Sequence, residues 1–301
     1  MNLSIVTASD SATLAGTNAT LGIKDGVLLG TGGKFTWETV GLPQAYAVLD
    51  NYSMDIRNPR LKAESSTLTY TDKLANPIKG VFEFQSKKRP KNVVSTFPRF
   101  MSFKNDAVLK KSADFEYKGG FALSGNTVLS SSIQEKYTTI VVKKDGKVAF
   151  KISGRKFTVG DSLITSPAAT FTGYFAEKDS IYHPSGKLIY DRLQQNLRLS
   201  KVDDGGFKEA SYTDSYHKLE ITADAMRWSL RDHKVDFYIL VAKNVVPALF
   251  ESFDYFNPER FNKISETFSF NPLVVVNNYA KKNNLTTVKL SELAKAYNKD
   301  L

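Results

Sequence analysis

Thr165–Asp191, TSPAATFTGYFAEKDSIYHPSGKLIYD, has a looser copy at Ala63–Phe84, AESSTLTYTDKLANPIKGVFEF. In each copy a Ser-containing turn leads into an alternating run, Thr67-Leu68-Thr69-Tyr70 in one and Thr170-Phe171-Thr172-Gly173-Tyr174 in the other. A charged link follows. Then Pro77 to Gly80, or Pro184-Ser185-Gly186, predicts a turn that launches a second alternating run. Period-two alternation puts successive side chains on opposite faces of a strand. The chain therefore carries a β-repeat, and the repeat predicts that Thr67–Phe84 and Thr170–Tyr190 form equivalent strand pairs in one sheet system. Neither copy holds a carboxylate pair, a metal-ligand cluster or a nucleophile with its base.

The same rhythm extends in both directions. Leu21 and Ile23, then Asp25-Gly26, then Val27 and Leu29 predict a tight hairpin. A clearer one spans Thr139–Phe150, where Lys144-Asp145-Gly146-Lys147 separates Ile140 and Val142 from Val148 and Phe150, and Asp-Gly sets the register. Gly30–Gly33, GTGG, lacks the Lys-Ser/Thr and the helix of a phosphate loop and reads as a turn before Phe35-Thr36-Trp37. Leu219, Ile221 and Ala223 alternate with polar residues, Trp228 falls on a neighbouring strand, and Val235–Val241 is apolar enough to predict burial on both faces.

The character changes at Asn257. Asn257-Pro258 and Asn271-Pro272 each read as an N-cap followed by proline at the first helical position. Leu273, Val276, Tyr279 and Ala280 form an apolar stripe, and Ser291–Tyr297 predicts a further short helix. Helices this short need a partner surface, and Phe253, Phe256, Phe261, Phe268 and Phe270 are the expected anchors. Thr287–Tyr297 also resembles the first helix of a winged-helix module, a truncated alternative to a purely structural subdomain. The expected architecture is mainly β: an elongated β-solenoid or stacked β-meander over residues 1–253, with a small α-helical subdomain over 254–301. Short strands cannot each bury a face alone, whereas stacked neighbours share one core.

Composition bounds the function. The chain has 301 residues, 42% hydrophobic, 24% charged and 12% aromatic, which describes a folded protein. Zero cysteines exclude disulfides, thiolate zinc sites and cysteine catalysis. The net charge of +10 is spread over many turns; the one compact basic run is KKRPK, whose Lys87, Lys88, Arg89 and Lys91 are the candidate contacts for an anionic partner. His183, His217 and His233 lack the spacing of a zinc site. Asp203-Asp204-Gly205-Gly206 lacks the alternating ligands of a calcium loop and reads as a turn. No cofactor, metal or catalytic residue is expected. The first residues have no basic or apolar signal region, and the ends suggest a segment of a longer protein.

DSIYHPSGKLIYD, GGFKEASYTDSYHKLEITADAMRW, VPALFESFDYF and FNPLVVVNNYAKK carry a resemblance. From about Asn51 onward the chain resembles a segment of the very large, uncharacterised exported proteins of the Bacteroidetes, whose repeats loosely resemble the OstA-like domains of lipopolysaccharide transport. The resemblance implies a periplasmic or outer-membrane location. It also implies a non-catalytic scaffold or bridge in the cell envelope, with envelope proteins or a lipid or glycolipid in an apolar groove as partners. The alternatives are a polysaccharide-acting β-helix enzyme, which would need three or more acids converging on one sheet face, and a nucleic-acid-binding fragment, supported only by net charge and the C-terminal half-module. No specific nucleic acid is expected.

Overall fold

Alternating side chains and turns rich in Gly, Asn and Asp leave short antiparallel strands as the way to bury one face of each segment. The computed structural model, which describes residues 1–6, 11–86, 90, 93, 95–110, 114–175, 179–202, 207, 210–232, 234–241, 244–255, 258, 262 and 272–297, is built in that way. Strands β1 (Leu3–Val6), β2 (Ser11–Ala15), β3 (Asn18–Gly22), β4 (Val27–Thr31) and β5 (Lys34–Trp37) lead through a 3-10 turn at Glu38–Val40. Next come β6 (Leu42–Leu49), β7 (Asn51–Asp55), β8 (Arg60–Tyr70), β9 (Ile78–Gln85), β10 (Arg99–Ser102), β11 (Phe115–Lys118), β12 (Ala122–Ser124) and β13 (Thr127–Leu129). They are followed by β14 (Thr138–Lys144), β15 (Lys147–Gly154), β16 (Thr158–Val159), β17 (Leu163–Tyr174), β18 (Ser180–Asp191) and β19 (Asn196–Ser200). The series ends with β20 (Tyr212–Asp214), β21 (Leu219–Thr222), β22 (Ala225–Ser229), β23 (Lys234–Val241), β24 (Asn244–Pro247) and β25 (Leu249–Ser252). The protein is mainly β, a large antiparallel sheet that does not close on itself among the described residues.

The ladders trace two ribbons. One runs β1–β2–β5–β6 and reaches the C-terminal half of β8, where Ala45–Leu49 pairs with Tyr70–Ser66. The other runs β3–β4–β7 and reaches the N-terminal half of β8, where Tyr52–Asp55 pairs with Ala63–Arg60. β8 thus belongs to both ribbons, and β9 follows it from Arg60 to Leu68. A second long hairpin repeats the device. The first half of β17 pairs with β16 and the second half with β15, while β18 accompanies both halves and hands them on to β19 and β20. Between the hairpins, β10–β12–β13–β16 continues one ribbon and β11–β14–β15 the other.

Both hairpins bend where the register slips, between Ala63 and Ser66 and between Ser166 and Phe171. The Ser66 hydroxyl donates to the Gly80 carbonyl at 3.0 Å, and the Thr170 hydroxyl donates to the Pro184 carbonyl at 2.8 Å. This corrects one reading of the repeat. Gly80 and Gly186 are not in turns; they lie within β9 and β18, opposite Ser66 and Ala169, where neighbouring strands press close to the backbone. The true reversals lie before them, between the end of β8 and the start of β9 and between the end of β17 and the start of β18.

The turn at Asp145-Gly146 is as expected: both residues have positive φ, 51° and 76°, and Lys144 pairs with Lys147 across it, but the register slips between Val142 and Lys143, so Phe150 is buried while Val148 is 41% exposed. At Asp25-Gly26 the turn is longer. The ladder stops at Gly22 opposite Val27, Gly26 N donates to Gly22 O at 2.9 Å, and Ile23 is 91% exposed in the turn instead of pairing. Nor is β23 buried on both faces. Val235 and Phe237 pack against the core, but Leu240 is 48% exposed, because a strand in such a ribbon has only one neighbouring layer.

The chain separates into two compact units, Met1–Glu251 and Ser252–Leu301. The second holds α1 (Pro272–Lys282) and α2 (Leu290–Tyr297). Lys281 and Lys282 sit in the last turn of α1, where positive charge complements the helix dipole, and Asn284 follows with a positive φ of 50°. Leu293 on α2 is buried. Of the helix expected at Asn257, only Pro258 and Asn262, both helical, are among the described residues; Phe256, Phe261, Phe268 and Phe270 lie outside them, and Phe253 is half exposed, not a buried anchor.

Candidate functional site

The space between the ribbons is filled with aromatic rings. Phe35 on β5 lies 4.8 Å from Phe82 and 5.1 Å from Phe84 on β9, and Trp37 lies 5.6 Å from Phe82, edge to face. Further along, Phe150 meets Tyr190 at 5.0 Å and Trp228 at 6.1 Å, so β15 of one ribbon touches β18 and β22 of the other. Tyr212 then packs on His183 at 4.4 Å and on Phe237 at 5.1 Å. Each fully buried ring of this kind contributes about 1.5–3 kcal/mol over an exposed one. Gly30 belongs to this packing, since a Cβ there would run into the Tyr52 ring that lies across it. GTGG accordingly ends β4 and turns the chain at Gly32 and Gly33, with φ of 69° and 112°.

Two polar side chains cross between the ribbons. The Tyr212 hydroxyl donates to the Leu199 carbonyl at 3.1 Å, and burial pushes its pKa well up. Tyr52 shares a 2.8 Å hydrogen bond with the Thr17 hydroxyl. His183 is fully buried, with Nε2 3.3 Å from the Ala210 carbonyl and Nδ1 without a partner among the described residues. Desolvation pulls its pKa down to about 4, against the carbonyl's opposing pull and with Lys201 adding to the fall. It is a neutral core histidine.

The sequence-predicted contacts Lys87, Lys88, Arg89 and Lys91 lie outside the described residues, as do His233 and the Asp203–Gly206 turn. His217 is exposed and unrelated to His183. Its Nδ1 lies 2.7 Å from Asp214 Oδ2, while Asp214 Oδ1 accepts the backbone N–H groups of Tyr216 and His217, so this pair stabilises the turn between β20 and β21. Among the described residues, no group of three His, Asp or Glu could hold a metal ion. No helix among them is long and apolar enough to cross a membrane.

What the fold leaves open is its edges. Among the described residues β1 pairs only with β2, and β3 only with β4, so each ribbon begins in a strand with one free side. β3 is short and mostly exposed, with Leu21 45% exposed, and an unpaired edge of this kind is a template for an added strand. The chain matches no protein-family model, no curated protein and no solved structure.

Proposed function

We propose that this chain is a non-catalytic scaffold or bridge of the cell envelope, joined to neighbouring β-domains by strand addition at the free sides of β1 and β3. The observation that carries the reading is the pairing network. Two ribbons are tied together by the bent hairpins β8–β9 and β17–β18 and, among the described residues, begin in one-sided strands. The loose resemblance of the repeats to OstA-like domains supports the envelope location. A lipid- or glycolipid-carrying groove is the weaker variant, because Phe35, Trp37, Phe82 and Phe150 occupy the space between the ribbons. A photo-crosslinking amino acid at Leu21, compared with one at Lys151 on the outer face of β15, tests the proposal in producing cells. The expected result is adducts with envelope proteins at Leu21 alone. Adducts at neither position, or fractionation of the protein with the cytosol, overturn it.

A further inference from the structure

Arg198 on β19 and Arg227 on β22 stand directly opposite each other in an antiparallel ladder, so two like charges face the same side of the sheet. Each is exposed between buried neighbours, Leu197 and Leu199 on one strand, Met226 and Trp228 on the other, which fixes both stems to the outer face. Like charges directly opposite each other destabilise a strand pair. Neither guanidinium has an ion-pair or hydrogen-bond partner among the described residues. The nearby acids are engaged elsewhere: Asp236, in register with Arg227, meets Lys234 at 3.1 Å; Asp224 meets Lys201 at 3.5 Å; Asp191 accepts the Gln194 N–H at 2.8 Å. On the far side of Arg198 the row continues with Ile189 and Thr165, which supply no charge.

We infer that Arg198 and Arg227 form an anion site for a phosphate-monoester group on the outer face of the sheet. Directly opposite residues hold their Cβ atoms about 4.5–5.5 Å apart, which lets both forks converge on one group. A carboxylate is satisfied by a single bidentate fork, whereas a tetrahedral dianion with three terminal oxygens has acceptors for both. Exposed Lys187, across from Ser200 in the adjacent row, adds a third positive charge. The site is independent of the bridging role proposed above and can be lost or kept without affecting it.

The test is thermal melting of the full chain with inorganic phosphate against chloride at matched ionic strength, with flotation on phosphatidylcholine vesicles with and without phosphatidic acid. Phosphate is expected to raise the melting temperature of the unaltered protein. Arg227→Lys, which keeps the charge and loses the fork, is expected to weaken phosphate binding about tenfold. The double variant Arg198→Gln/Arg227→Gln is expected to lose the response and, with the repulsion removed, to melt no lower than the unaltered protein in phosphate-free buffer. Flotation that depends on phosphatidic acid and on both arginines assigns a lipid headgroup; a response to inorganic phosphate without flotation assigns a soluble phosphate. An equal phosphate response in the double variant, full binding by Arg227→Lys, or no response beyond chloride overturns the site.

Discussion

Arg192, in the turn after β18, grips Asp114, just before β11, with two parallel hydrogen bonds, Nε to Oδ2 at 3.0 Å and Nη2 to Oδ1 at 2.9 Å. The same guanidinium lies 4.4 Å from the Phe115 ring centroid and donates to the Asp161 carbonyl at 3.2 Å. Since Asp191 belongs to one ribbon and Phe115 to the other, this side chain clasps the ribbons from outside the aromatic core.

Replacing Arg192 with lysine keeps the charge and loses the fork. The pair is partly exposed, so solvent screening limits its contribution, and the expected cost is about 1 kcal/mol, rising to about 2 for alanine because the contact with Phe115 goes too. Urea unfolding measures both values. Equal stability of all three proteins would show that the clasp contributes nothing.

The buried His183 makes stability fall in acid. Its folded pKa, about 4, lies below the ordinary 6.5, so the unfolded chain takes up a proton that the folded one refuses. Stability is therefore full above pH 6.5 and is lost as pH falls toward about 4, with a slope approaching 1.4 kcal/mol per pH unit. His183→Phe, which keeps a ring against Tyr212, should flatten that part of the curve. The difference between the two proteins isolates His183 from the carboxylates; parallel curves across this window would refute the assignment.

The two bends should respond unequally to the same change. A Cβ on Gly80 would meet the Met101 carbonyl, which is backbone, whereas one on Gly186 would first meet the Leu199 side chain, which can move. Gly80→Ala is expected to cost about 1–3 kcal/mol by overpacking, and Gly186→Ala clearly less. Melting temperatures of the pair decide it, and the reverse order would mean that the first bend is the softer one.

Tyr212→Phe removes a hydroxyl buried between the ribbons and leaves its ring in place. The expected loss is about 1 kcal/mol, since the Leu199 carbonyl forfeits this donor. Denaturant titration reads it, and an unchanged midpoint would place the hydroxyl outside the energetic core.

Inward faces were legible where alternation runs unbroken: Ile140, Val142 and Phe150 are buried as their spacing requires, whereas Val148 is exposed because the register slips beside it. Partners were not legible. Alternation tells which side of a strand a residue takes but not which strand lies beside it, so the pairing of β4 with β7 or of β6 with β8 could not be read from Leu29 or Tyr46. Gly80 and Gly186 misled for a related reason. Glycine serves both to reverse a chain and to let another backbone approach, and only the neighbouring strand shows which use applies. The opposition of Arg198 and Arg227 depends in the same way on cross-strand register, whereas Lys87–Lys91 stands out in the sequence because its charges are close along the chain.

The bent hairpins give the architecture a modular grammar. Because β8–β9 and β17–β18 each rejoin the two ribbons, the sequence between one bend and the next is a complete clause that restores the pattern it began with. Duplicating or deleting such a clause would change how many strands the sheet contains while leaving every remaining strand with a neighbour. The number of strands can thus be adjusted by genetic recombination in whole steps, without any residue of the surviving core having to change.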